Sequence, residues 1–115
     1  MKSMAALGIF LFSLTSFAEV FNVKDAECDS FGYYRNKVCI LIIENENNSA
    51  GAVFNSKSIL TKFGSSKDII GKHIEMNLSE LLLLSTEEEE SIRGFINYPE
   101  MSYYSALDRK IELID

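Results

Sequence analysis

The sequence lacks the motifs that identify the common classes of enzyme. It has one histidine, two cysteines and six scattered glycines. It therefore contains neither a His-Glu-x-x-His zinc motif nor a glycine-rich phosphate loop. No serine lies in the Gly-x-Ser-x-Gly turn of the α/β-hydrolases. The sequence thus shows no evident catalytic chemistry, and we expect no cofactor and no bound metal.

The single histidine has no identifiable catalytic partner. His73 lies in the alternating segment Lys72 to Met76, on the face opposite Ile74 and Met76. A catalytic histidine needs a nucleophile or a metal within reach, and spacing identifies neither. We interpret His73 as a surface residue. A small hydrolase that uses carboxylates or His73 is the least favoured of three functional hypotheses.

Long apolar runs are absent beyond the first eighteen residues. Lys2 precedes an apolar stretch from Met4 to Leu14, and Ser16 and Ala18 are the small residues typical of a cleavage site. The stretch is shorter than the roughly 20 residues of a membrane span. We therefore predict a signal peptide over residues 1–18 and export to the periplasm or the extracellular space. After cleavage, no membrane-spanning segment is expected.

Basic residues are outnumbered by acidic ones. Loss of residues 1–18 leaves 97 of the 115 residues and, because Lys2 is removed, changes the formal net charge from −6 to −7. Nucleic acids and anionic membranes require clustered lysine and arginine, so we expect neither as a partner. A chain of this length forms one domain. The expected mature protein is a single acidic domain over residues 19–115.

The two cysteines are predicted to form a structural disulfide, because paired cysteines are usual in exported domains. A bridge between Cys28 and Cys39 closes a loop of about 12 residues, for which chain entropy gives about 3 kcal/mol. A redox-active pair would have the shorter Cys-x-x-Cys spacing. The predicted role of the bridge is therefore stability.

The register around the disulfide has two solutions. A two-residue turn at residues 35–36 would place Cys28 opposite Ile43, too far from Cys39 for a bridge. Either the loop centres on Tyr33 and Tyr34, so that the cysteines face each other, or Cys28 lies before the strand and the bridge ties an incoming segment to it. The good strand-forming residues at 31–34 favour the second arrangement.

Short apolar and alternating segments predict a mainly β fold. Val38 to Ile43 is apolar without alternation and rich in β-branched residues, which indicates a central strand covered on both faces. Further strands are predicted at residues 19–24, 51–54, 59–63, 72–76, 92–98 and 108–114, with 25–27 as a polar connection. We expect a small antiparallel β-barrel or sandwich of about six to eight short strands.

The segment from Leu78 to Ile96 is compatible with both helix and strand. Thr86 and Glu89 match a capping box, whereas Gly94 weakens a helix. We interpret residues 81–84 as a strand or a short turn of helix, residues 87–90 as an exposed acidic loop and residues 92–98 as a strand. One short helix near residues 78–90 is the alternative.

Five tyrosines are the candidate binding surface: Tyr33, Tyr34, Tyr98, Tyr103 and Tyr104. Neighbouring residues of a strand face opposite sides, so some of these rings should be exposed. Exposed tyrosine is typical of recognition surfaces, although it is also an ordinary strand residue.

These observations favour a small exported β-rich domain that binds a protein partner in the envelope or the extracellular space. The first alternative is a structural or accessory subunit of a cell-envelope complex, which would use an exposed strand edge.

Overall fold

A computed structural model describes residues 18–30, 34, 36–93 and 101–114. The predicted signal peptide, apart from Ala18, lies outside the described residues. So do Tyr33 and Tyr98 of the candidate binding surface.

The described part of the chain contains seven strands and two α-helices. These are β1 (Glu19–Asp29), β2 (Val38–Glu44), β3 (Ser49–Asn55), α1 (Ser56–Phe63), β4 (His73–Met76), β5 (Leu82–Leu83), α2 (Thr86–Ile92), β6 (Ser102–Ala106) and β7 (Glu112–Leu113). Two 3-10 helices, Ser66–Ile69 and Leu78–Glu80, precede β4 and β5. The mainly β class, the expected number of strands and the single small domain are confirmed.

The strands form one mixed sheet in the order β5-β6-β3-β2-β1-β4-β7. β3 and β6 are parallel, whereas the other pairs are antiparallel. The strands form a single mixed sheet that is not closed into a barrel, so it differs from the antiparallel barrel or sandwich that the sequence predicts. The parallel pair arises because the long connection after β3 acts as a crossover, and this connection contains both described α-helices together with β4 and β5.

The central strand β2 is buried along its length, as predicted. All side chains from Val38 to Ile43 are buried. Leu41 and its neighbours on one face pack in a first core with α1, and Ile42 and its neighbours on the other face pack in a second core with α2. The absence of alternation in the sequence thus reflects a sheet with a helix on each face.

The first strand is longer than predicted, because β1 continues through the polar residues 25–27. Lys24 is an extra residue between the pairs Val23–Ile43 and Asp25–Ile42, which makes a β-bulge. The bulge resets the alternation, so that Val23 and Ala26 both enter the first core. The interpretation of residues 25–27 as a connection is therefore wrong.

Residues 59–63, predicted as a strand, belong to helix α1. The Asn55 side chain accepts a hydrogen bond from the Lys57 amide at 3.0 Å, and Gly64 ends the helix with φ of 82°. Ile59 is buried in the first core, and Leu60 and Phe63 pack against it. Their spacing is that of a helical stripe, which outweighs the strand preference of the individual residues.

The disulfide register is the one that the sequence disfavoured. Cys28 and Cys39 are direct partners across β1 and β2, and their Cα atoms are 4.0 Å apart. The next pair towards the loop is Asp29–Val38, so the connection between β1 and β2 comprises residues 30–37, and its midpoint in the sequence lies between residues 33 and 34. The arrangement in which Cys28 precedes the strand is wrong, because β1 extends to Asp29.

The predicted orientation of the fourth strand is correct. In β4, Ile74 is buried in the first core, while His73 and Glu75 are exposed. The alternation at residues 108–114 gives only the two-residue strand β7, which pairs with β4. Ile111 is buried immediately before β7.

The acidic run lies in helix α2 and not in a loop. Ser85 is the N-cap: its hydroxyl accepts from the Glu88 amide at 3.2 Å, and the Glu88 carboxylate accepts from the Ser85 amide at 3.0 Å. The capping box therefore begins one residue before the predicted Thr86. Ile92 ends the helix and fills the second core, and residues 94–98 of the predicted strand lie outside the described residues.

We expect Ser85→Ala to lower the free energy of unfolding by about 1 kcal/mol, because it removes the N-cap acceptor of α2. Thr86→Ala is the matched control and should change stability by less than about 0.5 kcal/mol, since Thr86 is an exposed first-turn residue. Urea unfolding of the two variants measures both values. A larger loss for Thr86→Ala would contradict the observed cap.

Candidate binding surface

The described tyrosines do not form one exposed patch. Tyr103 is only 4% exposed and packs in the second core, and Tyr34 packs against the same core. The Tyr34 hydroxyl donates to Glu88 Oε2 at 3.3 Å. Tyr104 is half-buried against the first core, on the opposite face of the sheet. These three rings therefore serve mainly as packing, and a binding surface that involves the five tyrosines stays a prediction.

Among the described residues, the most exposed large apolar side chains lie instead on the edge strand β5. Leu82 is 78% exposed and Leu83 is 63% exposed. Their neighbours Leu81 and Leu84 pack against the first and second cores respectively. Exposed apolar side chains on an edge strand mark a potential site of pairing with another chain, here over the two residues of β5.

The backbone of β5 is open on its outer side. The Leu84 amide donates to the Tyr103 carbonyl at 2.9 Å, which makes these residues a hydrogen-bonded pair. In an antiparallel ladder the next pair, Leu83 with Tyr104, is then non-hydrogen-bonded. The amide and carbonyl of Leu83 thus point away from β6. No described strand pairs with them.

A groove of about 460 Å³ lies beside this edge. Its apolar lining includes Leu78, Leu81, Leu83 and Tyr104, and Glu19 and Asn48 contribute polar atoms. Leu83 and Tyr104 are direct partners, so their side chains share the first-core face of the sheet. The free backbone of Leu83 and the apolar groove are therefore adjacent.

Acidic residues flank β5 in the sequence, and one lines the groove beside it. Between Asn77 and Ile92 the chain carries five glutamates and no lysine or arginine. Glu80 lies two residues before β5, and Glu87 and Glu90 are exposed on α2, which begins three residues after β5 ends. The Glu19 carboxylate at the groove is held by the Asn45 and Asn48 side-chain amides, at 3.1 and 3.2 Å.

Two arginines neutralise part of this charge. Arg109 donates to Glu80 Oε1 at 3.3 Å and to the Glu80 carbonyl at 3.2 Å. Arg93 pairs with Glu89 one turn earlier in the chain, and this hydrogen bond, together with the carboxylate charge, raises the pKa of Arg93. Glu87 and Glu90 are exposed and take part in neither of these ion pairs.

Several carboxylates of the hydrolase hypothesis line one groove, without His73. A second groove, of about 380 Å³, is lined by Glu75, Glu80, Asp108 and Glu112 together with Arg109 and Lys110, and His73 is not among its lining residues. Within the described residues, no group of three or more His, Cys, Asp or Glu side chains could hold a metal ion.

One feature of the sequence indicates the β5 edge, namely four consecutive leucines followed by an acidic run. It could not indicate exposure, because that depends on which strand lies beside β5.

None of the described helices is long and apolar enough to cross a membrane. The chain matches no protein-family model, no curated protein and no solved structure.

Proposed function

We propose that this protein is an exported protein-interaction domain that presents the β5 edge to a partner in the envelope or the extracellular space. The observation that carries the proposal is the exposure of Leu82 and Leu83 on an edge strand. Exposed apolar edges are costly in isolation, because they promote aggregation. They are also the surfaces to which extended segments of other proteins add as strands.

Export is supported by two independent features. The leader-like residues 1–18 have the composition of a signal peptide. The Cys28–Cys39 disulfide is stable in an oxidising compartment, whereas reduced thiols are the rule in the cytosol. A periplasmic or secreted location places the proposed partner in the same compartment.

An accessory subunit of an envelope complex would use the same edge. The two hypotheses differ in the lifetime of the complex, since obligate subunits form large permanent interfaces. Stoichiometric co-purification through repeated washes favours the subunit, whereas exchange of the partner during washing favours reversible binding.

Site-specific crosslinking tests the proposal. A photo-crosslinking amino acid at position 83, in the full chain expressed in its native host, should give one discrete adduct after irradiation. The matched control is position 67, which is also exposed and lies in a 3-10 helix after α1. Adducts at neither position, or the same adduct at both, would contradict a partner at the β5 edge.

A further inference from the structure

We infer that the partner segment is a basic, extended peptide that adds to β5 as a further strand and places an apolar side chain in the groove beside Leu83. This inference rests on the proposed function and adds the chemistry of the partner. It combines three observations: the open backbone of β5, the adjacent groove, and the acidic residues that flank β5 in the sequence.

The backbone favours an extended segment. The free amide and carbonyl of Leu83 offer one donor and one acceptor in the plane of the sheet, which is the pairing that a strand satisfies. A helix laid in the groove would leave both groups without backbone partners. The short length of β5 limits the contact to a few residues, so the groove must supply part of the affinity.

The groove favours an apolar side chain at alternate positions. Successive side chains of an added strand face opposite sides of the sheet. Those on the first-core face would lie beside Leu83, which lines the groove. Those on the other face would lie beside Leu82.

The charge favours a basic partner over a second copy of this chain. Residues 77–92 carry five glutamates without a basic residue, and the whole chain has a net charge of −6. Pairing two β5 edges would bring two such segments together, and like charges at an interface oppose association. Lysine or arginine flanking an apolar residue complements Glu87 and Glu90.

Three synthetic peptides test the inference by fluorescence anisotropy with the full domain. The first alternates lysine with valine over seven residues, the second replaces each lysine by glutamate, and the third replaces the central valine of the first by proline. We expect the lysine peptide to bind at least about tenfold more tightly than the glutamate peptide. The proline peptide should bind more weakly, because proline has no amide proton.

Two variants with matched controls locate the site. Leu83→Lys should abolish binding of the lysine peptide, whereas Leu113→Lys on the opposite edge strand β7 should not. Glu87→Gln with Glu90→Gln should weaken binding about two- to fivefold and reduce its salt dependence. The control pair is Glu27→Gln with Glu112→Gln, which removes the same charge from exposed positions elsewhere on the sheet.

Each other outcome overturns the inference. Equal binding of the lysine and glutamate peptides, or no binding of any peptide at millimolar concentration, excludes a basic strand. Loss of binding in Leu113→Lys but not in Leu83→Lys moves the site to β7. A dimer in sedimentation that Leu83→Lys dissociates makes a second copy the occupant. A crosslinked partner at position 83 without peptide binding would retain the proposed function and reject this inference.

Discussion

Gly51→Val is expected to lower the free energy of unfolding by about 3 kcal/mol, at the upper end of the usual cost of overpacking. A Cβ atom built at Gly51 would lie 2.3 Å from Cδ2 and 2.5 Å from Cε2 of Tyr103. Gly51 and Tyr103 are direct partners in the parallel pair β3–β6, and the ring is buried in the second core. The ring cannot move away without displacing its neighbours in that core.

A double-mutant cycle separates this clash from a general effect of valine in β3. In a Tyr103→Leu background the ring is absent, and Gly51→Val should then cost less than about 1 kcal/mol. Ser49→Val introduces the same side chain at an exposed position of the same strand and should change stability by less than about 0.5 kcal/mol. Additive costs for positions 51 and 103 in urea unfolding would show that the contact is not the cause.

The central strand could be predicted because its burial on both faces is indicated by one short run of consecutive residues. Val38 to Ile43 is apolar on both faces, and only a strand with neighbours on each side and a cover on each face buries such a segment. The elements that cover the two faces of the strand are the helices α1 and α2, however, and not a second layer of strands. The helical stripe of Ile59, Leu60 and Phe63 was available in the sequence, with Asn55 and Gly64 as its start and stop.

The observed first hairpin differs from the predicted one for another reason. The length of β1 depends on a bulge at Lys24, and a bulge leaves no clear mark on a polar segment. Without it, residues 25–27 break the alternation and resemble a loop. The direct facing of Cys28 and Cys39 follows only when β1 extends to Asp29, so the error in strand length became an error in register.

The candidate surface could not be predicted because it is a property of topology. Four consecutive leucines are equally compatible with a buried strand. Whether Leu82 and Leu83 are exposed depends on the crossover that brings β6 beside β3 and leaves β5 on the outside. Conversely, Tyr103 of the predicted tyrosine surface is buried, because its ring fills the space that Gly51 leaves open.

Removal of the disulfide is expected to cost about as much as the change at Gly51. Cys28→Ala with Cys39→Ala should lower the free energy of unfolding by about 3 kcal/mol, because the unfolded chain regains the freedom of a 12-residue loop. For a domain of this size the melting temperature should fall by about 12–24 °C. Wild-type protein reduced with dithiothreitol should show a similar loss without any change of sequence.

The same variant distinguishes a structural bridge from a functional one. The cysteines join β1 and β2, whereas β5 lies beyond β3 and β6 on the other side of β2. The facing register lets the alanine variant retain the native strand pairing, so the loss falls mainly on the unfolded state. Below its melting temperature the variant should bind the lysine peptide as tightly as the wild type. A loss of stability below about 1 kcal/mol, or a loss of binding by the folded variant, would assign the bridge a role other than stability.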